Sequence, residues 1–223
     1  MFMKVDAKDL EHEAVKRREM VYAQTALLVA IALQLTLDKS LVVGPKYVIA
    51  VLELFLVFGI GVTTPLKHSL GATLRRNFSL SLIALISLAN AASMILVARD
   101  LIGGSSVGGR SLIFAAFSIF VTNIIIFSLW YWEIDSPGLT GIYKHDSAPK
   151  FMFPQMGIRL PETKNWEPSY FDYLYLSTTN STAFSPTDAM PMTHGAKLLM
   201  GSQAFISLLT VVLVTARAVN ILG

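Results

Sequence analysis

Leu112-Ile-Phe-Ala-Ala-Phe-Ser-Ile-Phe-Val-Thr-Asn-Ile-Ile-Ile-Phe-Ser-Leu-Trp-Tyr-Trp132 contains no charged residue. It is as long as the roughly 20 apolar residues that a helix needs to cross a bilayer. Lipid offers no hydrogen bonds to backbone N–H and C=O groups, so a crossing segment must satisfy them internally, as a helix does. The stretch ends in Trp130-Tyr131-Trp132, an aromatic belt that places this end at headgroup level. Four more apolar runs flank it, at about Val21–Leu37, Tyr47–Leu66, Phe78–Ala98 and Lys197–Leu222. The chain has 223 residues, 53% of them hydrophobic and 15% charged. Soluble domains carry about 25% charged residues, so too little solvating surface is left for a sizeable soluble domain. These features predict an all-α polytopic membrane protein with about five transmembrane helices and one re-entrant half-helix.

The segments between the runs set the organisation. Residues 1–20 form a polar N-terminal helix, in which Glu13 and Arg17 make an attractive pair four residues apart. Residues 21–132 hold four spans, broken at Gly44-Pro45, at Pro65 to Arg76 and at the Gly103–Gly109 turn. That glycine turn follows no strand and lacks the Lys-Ser/Thr of a phosphate-binding loop. The third span is rich in Ser and Ala, which suits close helix packing in lipid. Residues 133–168 carry eight Pro and Gly residues interleaved with Phe151, Met152, Phe153, Met156, Ile158 and Trp166. Their spacing predicts an ordered extramembrane cap. Residues 169–223 hold a short amphipathic helix over about Ser169–Thr182, a polar loop and the last span.

Several chemistries are excluded by what is missing. There is no cysteine, so disulfides and thiolate metal sites are absent. The N-terminus has no apolar core followed by a small-residue cleavage site, so it does not read as a secretory signal. The net charge of +3 comes from basic residues beside the spans, which membrane topology explains without nucleic acid. His12, His68, His145 and His194 are scattered without metal-ligand spacing. No Ser-His-Asp constellation or paired-carboxylate site is visible, so neither an enzyme nor a cofactor is expected.

The loop before the last span carries the functional signal. It reads Tyr175-Leu-Ser-Thr-Thr-Asn-Ser-Thr-Ala-Phe-Ser-Pro-Thr-Asp188-Ala-Met-Pro191-Met-Thr193. The pattern resembles the pore segment of potassium-channel-like cation channels, with Tyr175, Ser177, Thr182, Asp188, Pro191 and Thr193 on matching positions and no gap. The context is similar too: an outer span ending in aromatics, a turret-like loop, a half-helix, the motif and a final span. The resemblance covers about residues 112–222. Where the family has Thr-Val-Gly-Tyr-Gly, this chain has Ala183-Phe184-Ser185-Pro186-Thr187. Those glycines allow the carbonyl geometry that replaces the hydration shell of potassium, whereas Ser185 and Thr187 are disfavoured in left-handed conformations and Pro186 fixes its own φ. The resemblance therefore implies a degenerate filter, in which Thr182, Ser185, Thr187 and Asp188 offer hydroxyls and a carboxylate ring to monovalent cations with weak selectivity. It also implies a homo-oligomer, a tetramer in this family, with residues Gln203 to Thr210 lining a cavity. A Ser/Thr-rich turn that merely caps helix ends, with Thr187-Asp188 as the cap, fits the same residues. The stretches Trp130–Asp135 and Thr182–Asp188 are also similar to a group of uncharacterised bacterial inner-membrane proteins, to which no chemistry is assigned.

Charge bias and channel topology disagree. In a five-span chain the N-terminal cluster of Lys4, Lys8, Lys16, Arg17 and Arg18 shares a side with Lys67, Arg75 and Arg76 and with the pore-like loop. The positive-inside rule puts that side in the cytoplasm, whereas potassium channels hold the loop outside. Either the topology is inverted, the span count is off by one, or the loop is not a filter.

Polar residues within the spans are Gln34, Glu53, Asn90, Asn123, Gln203, Arg217 and Asn220. Glu53 at mid-span has to face protein or water, either as a packing group or as part of an ion or proton path. Arg217 lies where it can snorkel to the interface. The expectation is a multi-pass integral protein of the cell membrane that works as an oligomeric, poorly selective cation channel. The alternative is a non-conducting scaffold or partner-binding membrane protein.

Overall fold

The computed structural model describes residues 7–42, 46–63, 69–103, 108–135, 148–158, 166–182 and 189–222. Among them the chain is almost wholly helical. Helix α1 covers Ala7–Thr36 and is followed by a 3-10 turn at Lys39–Leu41; α2 covers Lys46–Thr63, α3 Ser69–Gly103 and α4 Gly109–Asp135. Strand β1 is Phe151–Met152, α5 is Pro154–Gly157, α6 is Tyr170–Thr182, β2 is Met190–Pro191 and α7 is His194–Leu222.

Four helices among the described residues have a stretch long and apolar enough to cross a membrane: Arg18–Thr36, Asn77–Gly103, Gly109–Asp135 and His194–Thr215. Helix α2 occupies the position of the remaining expected span. The protein is an all-α polytopic membrane protein. Large apolar side chains face outward along these helices, among them Leu52, Phe55, Leu88, Ile95, Phe117 and Phe205. Water would not tolerate so extensive an apolar surface, and lipid does.

Two apolar clusters fix the direction of each helix. At one end Ala23, Leu27, Leu82, Ile83, Leu129 and Trp132 pack with Tyr170 and Tyr173. At the other, Leu37 and Leu41 pack with Met94, Val97, Leu112 and Ala115, and Leu213 and Val214 join them. Helices α1, α3 and α7 therefore run from the first end to the second, and α2 and α4 return. Helix α4 is the hub, touching α1, α3, α6 and α7.

Local signals explain several boundaries. Asp38 caps the 3-10 turn, its Oδ1 accepting from the Ser40 N–H at 3.1 Å and the Ser40 hydroxyl at 3.0 Å. Pro154 stands in the first turn of α5, where its missing N–H costs nothing. Thr193 caps α7 by accepting from the Ala196 N–H at 3.2 Å. At the start of α6, Asp172 reaches back to accept from the N–H and hydroxyl of Ser169, each at 2.7 Å. Glu19 of α1 accepts from the Tyr170 N–H at 2.7 Å, placing a carboxylate at the positive end of the α6 dipole.

The polar segment from Ala7 and the first span form one unbroken helix, because nothing between Arg18 and Val21 breaks a helix. Two details differ from the sequence-based expectation. Helix α3 begins at Ser69, well before its apolar run, since the segment around Arg75 and Arg76 holds good helix formers. The Trp-Tyr-Trp end of α4 is not a plain belt: Tyr131 is fully buried and Trp132 nearly so, while Trp130 donates from Nε1 to the Ser87 hydroxyl at 3.0 Å. The cap and α6 cover that end, so these rings fill protein instead of the lipid headgroup layer.

Candidate functional site

Asp135, at the end of α4, organises the cap. One carboxylate oxygen accepts from the backbone N–H groups of Lys150 and Phe151, and the other accepts from the Tyr173 hydroxyl at 2.8 Å. Strand β1 is thereby held against α6. It pairs antiparallel with β2, Phe151 opposite Pro191, and the Met192 N–H donates to the Lys150 carbonyl at 2.8 Å. Phe151 is fully buried between the rings of Tyr131 and Tyr173, with centroids at 5.1 and 6.4 Å. Phe153 packs edge-on to Tyr173 at 5.4 Å and beside Trp166 at 5.7 Å.

Helix α6 lies on this platform and follows α4 and α7 inward. Its buried face is Tyr170, Tyr173, Leu176 and Ser177, at helical spacing. Tyr170 shares a 3.0 Å hydrogen bond with Ser128, and burial pushes its phenol up to about 12 against the opposing pull of that bond. The Ser177 hydroxyl donates to the Ile124 carbonyl at 2.6 Å.

The far end of α6 is clamped by Gln203, which is fully buried. Its Nε2 donates to the Ser177 carbonyl at 3.0 Å, the Ser177 hydroxyl at 2.6 Å and the Ser181 hydroxyl at 2.7 Å. Its Oε1 accepts from the Tyr131 hydroxyl and from Asn180 Nδ2 at 2.9 Å. Asn180 also donates to the Met200 carbonyl at 3.0 Å. Gln203 lies nine residues into α7, which at 1.5 Å per residue is about 14 Å along its axis. One turn further on, Asn123 donates to the Ser207 hydroxyl at 3.1 Å.

No protein-family model, curated protein or solved structure matches this chain.

Thr182 ends α6, is exposed, and donates its hydroxyl to the Thr178 carbonyl at 2.8 Å. Ala183, Phe184, Ser185, Pro186, Thr187 and Asp188 lie outside the described residues. Asn123 and Gln203 are both buried. They link α4 and α6 to α7, as do Ser207 and the Ser177–Ser181 hydroxyls. Residues Gln203, Ser207 and Thr210, expected to line a cavity, face inward within the chain's own helical body; outward positions include Ser202, Phe205, Leu208 and Leu209. Glu53 is buried on α2, away from this network. Arg217 falls within α7, and its side chain is outside the described part.

Sequence reasoning missed Tyr131, Asn180 and Asp135. Tyr131 carried a signal: a hydroxyl between two tryptophans can anchor at an interface or seek a buried partner. Which of the two holds depends on α6, forty residues further on.

The threonine hydroxyls of α6 share a further property. Thr178 donates to the Leu174 carbonyl at 2.7 Å and Thr179 to the Tyr175 carbonyl at 2.9 Å. Each hydroxyl proton is committed to a helix carbonyl, so the oxygen keeps acceptor capacity only. Such oxygens attract cations and not anions.

Proposed function

We propose that this is a pore-loop-like, multi-pass protein of the cell membrane, whose copies assemble around the α6–α7 hairpin to form a poorly selective monovalent-cation path without a potassium-type filter. The observation that carries this reading is the Gln203 clamp. It fastens the end of α6, just before the polar segment Ala183–Asp188 in sequence, about 14 Å along α7. A half-helix held at that depth has one purpose in the channels that the segment resembles: it presents the next residues to an axis between subunits. The acceptor-only hydroxyls of Thr178, Thr179 and Thr182 favour cations there.

The experiment is flux from proteoliposomes with purified protein, together with the oligomeric mass in the bilayer. Cation flux from a tetramer, reduced in Asp188→Asn, supports the reading. A monomer, or an oligomer silent to every monovalent cation, defeats it. One observation favours the second reading, a non-conducting scaffold. Gln203, Ser207 and Thr210 of α7 are buried, and its outward face is mostly apolar, with Phe205, Leu208, Leu209, Val211 and Val212 exposed, as in a helix that binds lipid or a partner helix. An assembled but silent oligomer is the result expected from that reading.

A further inference from the structure

Glu53 stands apart from the clamp. It is fully buried, and neither carboxylate oxygen has a hydrogen-bond partner among the described residues. Its neighbours Leu52, Leu54 and Phe55 are exposed, so α2 turns Glu53, with Ala50, from lipid into the contact with α1 and α3. A second buried group is also unpartnered: Nε2 of Gln34 on α1. Gln34 lines a small cavity with Val42, Ala50, Ala89 and Ser93. The cavity offers about 10 Å³ to the centre of a water, room for about one molecule. Ala50 precedes Glu53 by three residues, so the two share one stripe of α2, about one turn apart. Leu37 and Val42, on either side of the 3-10 turn, place the cavity at the turn end of the bundle.

Among the described residues, no counter-charge faces the carboxylate. On α1, the stretch from Ala23 to Thr36 has no titratable residue, and Arg18, Glu19 and Tyr22 lie toward the opposite end. On α3, the stretch from Phe78 to Ala98 has none, and Arg99 and Asp100 beyond it pair with each other at 3.9 Å. On α2 itself, Lys46 and Tyr47 stand at the start of the helix, and Asp38 and Lys39 belong to the turn. An unpaired charge in an apolar interior gives way to its neutral form. A neutral carboxyl still has one donor and free acceptors to satisfy. A water in the Gln34 cavity can take the Gln34 donor, about one turn of α2 from the carboxyl.

The geometry points to Glu53 as an intramembrane proton-binding site, exchanging with the aqueous phase at the turn end through the Gln34 cavity. Its chemistry is that of a lipid-sheltered carboxylic acid. Such an acid reacts with a lipophilic carbodiimide. The O–H adds across one C=N bond, the carboxyl oxygen bonds to the central carbon and the proton passes to nitrogen. The adduct rearranges to a stable N-acylurea, and no group leaves.

The test uses the full chain in lipid nanodiscs, treated with dicyclohexylcarbodiimide between about pH 5 and pH 9 and read by peptide mass spectrometry. The expected result is one reagent mass on the Glu53 peptide, with a rate that falls about tenfold per pH unit above a single midpoint. Glu53→Gln carries no adduct on that peptide. Gln34→Leu, which removes the polar group of the cavity, displaces that midpoint. The wild-type profile decides the matter even where a variant does not fold. No adduct on Glu53 at any pH overturns the assignment, and so does a labelling rate that ignores pH, which marks an acid sealed from water. Protection by sodium at constant ionic strength and pH also overturns it, since the ligand is then a metal cation. None of these outcomes depends on whether the α6–α7 hairpin conducts.

Discussion

Replacing Gln203 with Leu keeps the size of the side chain and removes the clamp. Five hydrogen-bonding contacts disappear, the two N–H groups of Nε2 being shared among three acceptors and two donors reaching Oε1. The losses are unequal. Ser177 keeps its bond to the Ile124 carbonyl, and Asn180 keeps the Met200 carbonyl and the Tyr131 oxygen at 3.3 Å. The Tyr131 hydroxyl proton is left with no acceptor at a fully buried site. Interhelical hydrogen bonds in membranes average about 0.6 kcal/mol, so five of them amount to about 3 kcal/mol. An orphaned buried donor costs about 1–3 kcal/mol by itself, which supports the same figure. The expected destabilisation is therefore about 3 kcal/mol, of which leucine's apolar contact recovers a part. The assay is reversible unfolding in mixed micelles, titrated with an anionic detergent and followed by tryptophan fluorescence. The clamp also makes a non-additive claim: once Gln203 is gone, Asn180→Leu should cost less than it does alone. A Gln203→Leu protein as stable as the parent, with additive double mutants, would refute the account of how α6 is held.

Other perturbations reach the rest of the architecture. Asn123→Ala removes the buried bond to Ser207 and should cost about 0.6–1.7 kcal/mol in the same titration, with no effect on hydrogen exchange in the cap. Asp135→Asn exchanges one acceptor oxygen for an NH2 group where two backbone N–H groups and the Tyr173 hydroxyl need acceptors. It should cost about 1.5–3 kcal/mol and accelerate amide exchange at Phe151, Met152 and Met192. Phe151→Ala empties a site enclosed by Tyr131 and Tyr173 and should cost about 3–5 kcal/mol, read as earlier protease cleavage of the cap. Ser169→Ala weakens the start of α6 by about 1 kcal/mol, visible as faster exchange in its first turn.

The helices were legible because bilayer thickness writes itself into the chain as run length. The half-helix expected over about Ser169–Thr182 is α6, Tyr170–Thr182, and the fourth span Leu112–Trp132 is the centre of α4, Gly109–Asp135. The two-residue strands were not legible. Neither Phe151-Met152 nor Met190-Pro191 is long enough to show alternation, and each exists only because the other lies beside it. In the candidate site, Gln203 and Asn123 stood out as polar residues in apolar runs. Their partners did not, since the serines and threonines of α6 suit a filter, a cap or a clamp equally well.

By itself, then, the sequence determined that this chain lives in lipid, roughly where its helices begin and end, and which polar side chains lie at membrane depth. Those properties follow from local composition and from the length of an apolar run. Only the tertiary structure decided that Tyr131 turns inward, that Gln203 grips α6 and that Glu53 faces α1 and α3 with no hydrogen-bond partner among the described residues. The physical reason is that a hydrogen bond between helices is set by where two axes cross. That crossing results from packing along their whole length, and no single segment of the chain encodes it.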